Sequence, residues 1–173
     1  MQHRIDGLSV LVVDDHRFMQ QVMRMMLNGL GVKNVTPAYT VDEGLEALAR
    51  RKFDIVIADY LMGGQTGAEF TRFARSDHFT GDRFVPIIAC TADTTPRTVR
   101  ELRDAGADEI LAKPVSPRAV WNKIVAVTNA RRSFVVAPNF FGPDRRRREL
   151  PIDGNDRRAR DIEISAPISS RRP

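Results

Sequence analysis

The chain has 173 residues, 42% of them hydrophobic, with a formal net charge of +5, enough apolar material for one domain of ordinary size with an appendage. Its single cysteine, Cys90, excludes an internal disulfide framework and fits a reducing compartment. No uncharged run approaches the about 20 residues that span a bilayer, and the opening MQHRIDG lacks the apolar core of a signal peptide. A cytoplasmic protein without membrane insertion is expected.

In chain order, LSVLVV (8–13), DIVIA (54–58) and FVPIIA (84–89) are Val- and Ile-rich runs without polar alternation, as strands buried on both faces require. Between the first two, Met19, Val22, Met23, Met26, Leu27 and Leu30 recur at helical spacing, and Gly31 is a natural stop. That Met-rich stripe reads as core. Thr40 with Glu43 spells a capping box opening a helix with Val41, Leu45 and Leu48 on one face, and Thr66 with Glu69 repeats the device before Phe70 and Phe73. Thr95-Pro96 and Ser116-Pro117 each place a capping hydroxyl before a proline at the first helical position. Weaker strands at VTPAY (35–39) and DEIL (108–111) complete an alternation of β and α that predicts an α/β, doubly wound parallel sheet.

In such a sheet the functional crevice lies at the carboxyl ends of the strands. Asp14 and Asp15 follow the first strand, Asp59 the third, Thr91 the fourth and Lys113 the fifth, so three carboxylates, a hydroxyl and an amine converge. Clustered carboxylates need a cation, and an oxygen-only set suits Mg2+, which keeps waters and accepts a phosphate oxygen. A carboxylate beside that ion can accept a phosphoryl group while Thr91 and Lys113 stabilise its oxygens. Beyond this phosphoryl chemistry nothing points to an enzyme. His3, His16 and His78 show no ligand spacing and read as scattered surface residues.

Over residues 8–130 the chain resembles the receiver domain of two-component response regulators, through LVVDD (11–15), Asp59 with Met62 and Gly67, TA (91–92) and KP (113–114). The resemblance implies a flavodoxin-like five-stranded sheet of order 2-1-3-4-5 and a cis Lys113-Pro114 bond. It also implies Asp59 as phospho-acceptor with Thr91 and Lys113 beside it, Asp14, Asp15 and Asp59 as Mg2+ ligands, and a histidine kinase as donor. Two positions depart from the family pattern: Gly63 stands where a proline follows Met62, and Ile110 stands where receivers carry Tyr or Phe.

The receiver is expected to occupy 1–132, followed by an apolar linker, SFVVAPNFFG (133–142), that either packs along the receiver or grips a partner. From 143 to 173 nine Arg stand against six acids and apolar residues are few, so this tail is expected to be disordered alone. Gly142 to Ile152 and Gly154 to Ile164 repeat one phrase with a period of twelve: Asp144, Arg145, Arg146 and Arg148 match Asp156, Arg157, Arg158 and Arg160, and Glu149 matches Asp161. Arg offers a planar fork to phosphate and to the O6 and N7 edge of guanine. The acids, which a plain phosphate grip would not include, can accept from the N1–H and N2–H edge. Two half-sites suit a ligand with two guanines and two phosphates, cyclic di-GMP.

Arg158 to Asp161 is an RxxD, and receiver plus tail resemble the Cle-type CheY-like regulators. That resemblance implies cyclic di-GMP binding by the tail and contact with a flagellar motor switch protein, with a monomer expected. Two alternatives stand beside it: a phosphorylated single-domain regulator with an inert tail, and nucleic-acid binding by the basic tail, which the six interleaved acids disfavour.

Overall fold

The computed structural model describes residues 5, 7–129, 132–137 and 140–144 together with the backbone of Glu163–Ser165. Five parallel strands, β1 (Ser9–Val13), β2 (Asn34–Ala38), β3 (Ile55–Asp59), β6 (Ile87–Thr91) and β7 (Glu109–Ala112), form one sheet of order β2-β1-β3-β6-β7. Counting only these strands, that is the 2-1-3-4-5 order. Two-residue strands β4 (Leu61–Met62) and β5 (Gln65–Thr66) pair separately.

Alternate residues of each strand serve opposite faces. Val10, Val12, Ile55, Ile57 and Ile88 pack with Met23 and Leu27 of α1 (Arg17–Gly29) and with Val120, Ile124 and Val127 of α5 (Pro117–Asn129). Leu11, Val13, Val56, Ala58 and Ile87 pack instead with Val41 and Leu48 of α2 (Val41–Arg50) and with Phe70 and Ala74 of α3 (Gly67–Arg75). The fourth helix, α4 (Pro96–Ala105), rests Leu102 and Ala105 on Ala68, Ala89 and Ala107. Pro37, which cannot donate to a ladder, lies on the edge strand β2.

The helix starts follow their caps. Thr66 and Glu69 close the full reciprocal box, and Thr95 and Ser116 hydroxyls accept from Thr98 and Ala119 N–H. Thr40 accepts from Glu43 N–H, but the Glu43 carboxylate returns to Tyr39 N–H at 2.7 Å instead of to Thr40. Phe73 does not join Phe70 in the core: it is half-exposed and meets Phe79 edge-on at 6.3 Å. The run expected as a strand at 84–89 begins at Ile87, because Pro86 has no N–H to donate, and extends to Thr91.

The apolar segment after Arg132 is a β-hairpin of β8 (Phe134–Ala137) and β9 (Phe140–Pro143) packed on the receiver. Phe134 is buried, and Phe84, Phe134 and Phe141 stack mutually with centroids 5.0–5.4 Å apart. Arg75 lies under the Phe134 ring at 5.1 Å and ion-pairs with buried Asp108 at 2.8 Å. The tail expected to be disordered alone lies largely outside the described residues; its described piece Glu163–Ser165 forms a strand, β10, antiparallel to β8. A two-stranded hairpin leaves a row of unpaired backbone groups along β8, and an extended segment satisfies them.

Candidate functional site

The carboxyl ends of β1, β3, β6 and β7 bring Asp14, Asp15, Asp59, Thr91 and Lys113 to one edge of the sheet, as the sequence predicts. Each position is set by the chain beneath it. Gln20, buried on α1, shares its amide hydrogens among the carbonyls of Val12, Asp14 and Ala38 at 2.9, 3.2 and 2.7 Å, fixing the end of β1. His16 N–H donates to Asp14 Oδ1 at 2.8 Å. Lys113 N–H donates to Thr91 O at 2.8 Å, and the Lys113-Pro114 bond is cis, as expected.

The Lys113 amine stands 2.8 Å from Asp59 Oδ1 and 3.8 Å from Asp14 Oδ2. Burial alone would lower that amine, but its hydrogen bond and charge contact with Asp59 outweigh this and hold its pKa above the ordinary lysine value. Burial raises the Asp14 carboxyl, the bond from His16 N–H works against it, and the Asp59 charge pushes the same way as burial. Asp14 and Asp59 are both buried. The Thr91 hydroxyl is buried and turned to its own loop, accepting from Asp93 N–H at 3.0 Å.

The residues fit a hard divalent cation. One ligand atom each from Asp14, Asp15, His16 and Asp59 lie within 4.8 Å of one another, and Asp15 Oδ1 is a buried oxygen without a hydrogen bond. Asp14, Asp15 and Asp59 could hold Mg2+, which would supply positive charge for the oxygens of a phosphate.

Gly63 and Gly64, at φ 53° and 94°, join β4 to β5 in the two-residue turn whose positive φ pair favours glycine. Proline, fixed near φ −65°, cannot take that place. Gly67 passes so close to the end of β3 that a Cβ there would lie 2.2 Å from Asp59 O. Ile110 and Tyr60 each pack, partly buried, against the cluster that contains Leu102 and Ala105. Sequence reasoning missed Tyr60: its hydroxyl donates to Glu101 Oε2 on α4 at 2.9 Å, one residue past Asp59.

Of the tail residues expected to bind the ligand, Asp144 alone is described; its N–H donates to Ser133 O at 2.8 Å and its carbonyl accepts from Arg132 at 3.0 Å. Arg145, Arg146, Arg148, Asp156, Arg157, Arg158, Arg160 and Asp161 lie outside the described residues.

Residues 10–125 match the response regulator receiver domain family, and the chain belongs to it. It is 34% identical over 112 residues to the sensory/regulatory protein RpfC of Xanthomonas campestris pv. campestris, a match covering 65% of this chain and 15% of RpfC. With the chemotaxis protein CheY of Pseudomonas aeruginosa it shares 27% over 117 residues, 68% of this chain and 93% of that one. The solved structure of Vibrio cholerae CheY4 superposes with a TM-score of 0.63 at 30% identity, covering 69% of this chain and 98% of that chain. The receiver domain of the sensor histidine kinase PA1611 of P. aeruginosa, which holds a magnesium ion in its active-site cleft, gives 0.61 at 28% identity, covering 69% and 95%. Among the described residues no helix is long and apolar enough to cross a membrane.

Proposed function

We propose that this receiver is a CheY-like signalling protein that binds cyclic di-GMP through its arginine repeat and acts on a flagellar motor switch protein by direct contact. The observation that carries the ligand is the twelve-residue phrase, repeated once, in which Arg146 with Glu149 and Arg158 with Asp161 present a guanidinium fork and a carboxylate together. Each such pair can meet both hydrogen-bonding edges of one guanine, with Arg145 and Arg157 left for the phosphates. Ordering the segment around its ligand costs about 2–5 kcal/mol of the gross interaction energy, so loss of a single arginine weakens binding visibly. Calorimetry on the full chain tests this: heat with cyclic di-GMP and weaker binding by Arg158→Ala support it, whereas no heat, or equal affinity in the variant, overturns it.

The geometry of the acid site favours a second reading, in which phosphorylation of Asp59 alone drives the output. Lys113 already rests 2.8 Å from the Asp59 carboxylate, where the oxygens of an acyl phosphate would form. The two readings separate in a partner-binding assay comparing Asp59→Asn with a chain cut after Asp144. The cut falls there because Asp144 still closes the hairpin against Ser133. Loss of binding in Asp59→Asn with none on truncation would favour the second reading.

A further inference from the structure

His16 occupies the N-cap of α1, yet its side chain makes no capping hydrogen bond. A cap residue ordinarily turns a side-chain oxygen back to the first free N–H groups of its helix. Here the backbone N–H of His16 goes to Asp14 Oδ1, and the imidazole turns to the acids. Its Nδ1 lies 2.7 Å from Asp15 Oδ1 and 3.6 Å from Asp14 Oδ1. The short contact lacks hydrogen-bond geometry, for Asp15 Oδ1 remains without a hydrogen-bond partner.

Two neighbouring atoms about 3 Å apart are what an octahedral ion with ligands at about 2.1 Å requires. The imidazole nitrogen and the carboxylate oxygen, which form an ion pair when the ring is protonated, also stand at the spacing that adjacent ligands of a single ion take. The remaining donors comply, since one atom from each of Asp14, Asp15, His16 and Asp59 can be chosen within 4.8 Å of all the others. The His16 side chain is 69% exposed, so it closes the solvent side of the cluster without burying it.

We infer that His16 supplies a nitrogen ligand to the cation held by Asp14, Asp15 and Asp59, making this acid site more receptive to ions that accept nitrogen. Carboxylate oxygens alone suit Mg2+ and Mn2+ equally in kind, whereas an imidazole adds to the affinity of first-row transition ions much more than to that of Mg2+. The inference rests on the acid cluster being a cation site. It assigns to the chain's own His16 a part in choosing the ion.

Affinity by itself does not decide the matter, because a histidine that merely orients a ligating carboxylate also changes metal binding about tenfold or more. The deciding measurement is pulsed electron paramagnetic resonance on the full chain loaded with Mn2+. Expected is a nitrogen-14 modulation of the Mn2+ echo from a directly bound imidazole, present in the wild type and in His78→Ala, absent in His16→Ala and in His16→Asn. Asparagine keeps a capping side chain at the start of α1, so circular dichroism and the unfolding midpoint of that variant separate loss of the ligand from loss of the helix. By competition titration, the preference for Mn2+ over Mg2+ should fall about tenfold in His16→Asn. Mn2+ bound without nitrogen modulation in the wild type, or modulation surviving in both His16 variants, overturns the inference and leaves the acid site standing. No Mn2+ bound at all, or Mn2+ bound equally well by Asp59→Asn, overturns the cation site together with it.

Discussion

Lys113 Nζ and Asp59 Oδ1 are 2.8 Å apart, so one amine ties the end of β3 to the loop after β7 across the intervening strand β6. The contact places a fixed positive charge where a phosphoryl group on Asp59 would carry its oxygens. Incubating the protein with acetyl phosphate and Mg2+ should produce an acid-stable, base-labile phosphoprotein in the wild type and none in Asp59→Asn. Lys113→Ala should be labelled about a hundredfold more slowly, the scale of losing one charge-stabilising donor. Mass spectrometry of intact protein over a time course measures both.

Asp14 is buried beside Asp59, and its carboxyl is raised by burial first and by that neighbour's charge in addition. For an acid whose folded pKa exceeds its unfolded value, the folded state binds more protons over the interval between them. Stability of the metal-free protein therefore falls as pH rises from the ordinary Asp value of 3.8 through the raised one. Asp14→Asn removes that cost. At neutral pH the variant should unfold at a higher denaturant midpoint than the wild type in the presence of a chelator, and should bind Mg2+ more weakly.

The C-terminal hairpin belongs to the receiver's packing. Phe134 stacks on both Phe84 and Phe141, and Arg75 reaches past its ring to Asp108. Phe134→Ala should cost about 3–5 kcal/mol. Arg75→Met should cost about 3–5 kcal/mol as well, because it takes the guanidinium away from a buried carboxylate. The two residues touch, so the double variant should lose less than the sum. Urea unfolding checks the magnitudes, and hydrogen exchange should show Val135 and Gly142 amides losing protection in both variants.

Cys90 is buried on β6, and burial pushes its thiol up to about 12. The reactive thiolate is then scarce at any ordinary pH. Alkylation by iodoacetamide at pH 8 should be slow in the native protein and follow global unfolding across a urea series. Fast labelling without denaturant would show that β6 opens locally.

Much of this fold is legible because its determinants are local. Thr40, Thr66, Thr95 and Ser116 each announce a helix start within three residues. The five acid-site positions follow from the rule that strands of an open α/β sheet end at one edge. Where contacts are distant the sequence says less. Gln20 sits among hydrophobic helix positions, and only the carbonyls of Val12, Asp14 and Ala38 explain why an amide is buried there. The segment 133–142 declares itself apolar, but its hairpin depends on Phe84 and Arg75, some fifty to sixty residues earlier. Gly63 reads as a missing proline until its positive φ shows a turn that proline cannot make. His16 directly follows Asp14 and Asp15 in sequence, but Asp59, the remaining member of their cluster, is brought to them only by the sheet.

The most direct test of the signalling account is a nuclear magnetic resonance titration of the full chain with cyclic di-GMP. The account predicts saturable shifts of the amides of residues 145–162 that persist at physiological salt and disappear in a variant carrying both Arg146→Ala and Arg158→Ala. Amides 145–162 that stay unchanged at saturating cyclic di-GMP, or shift equally with GMP, would contradict it.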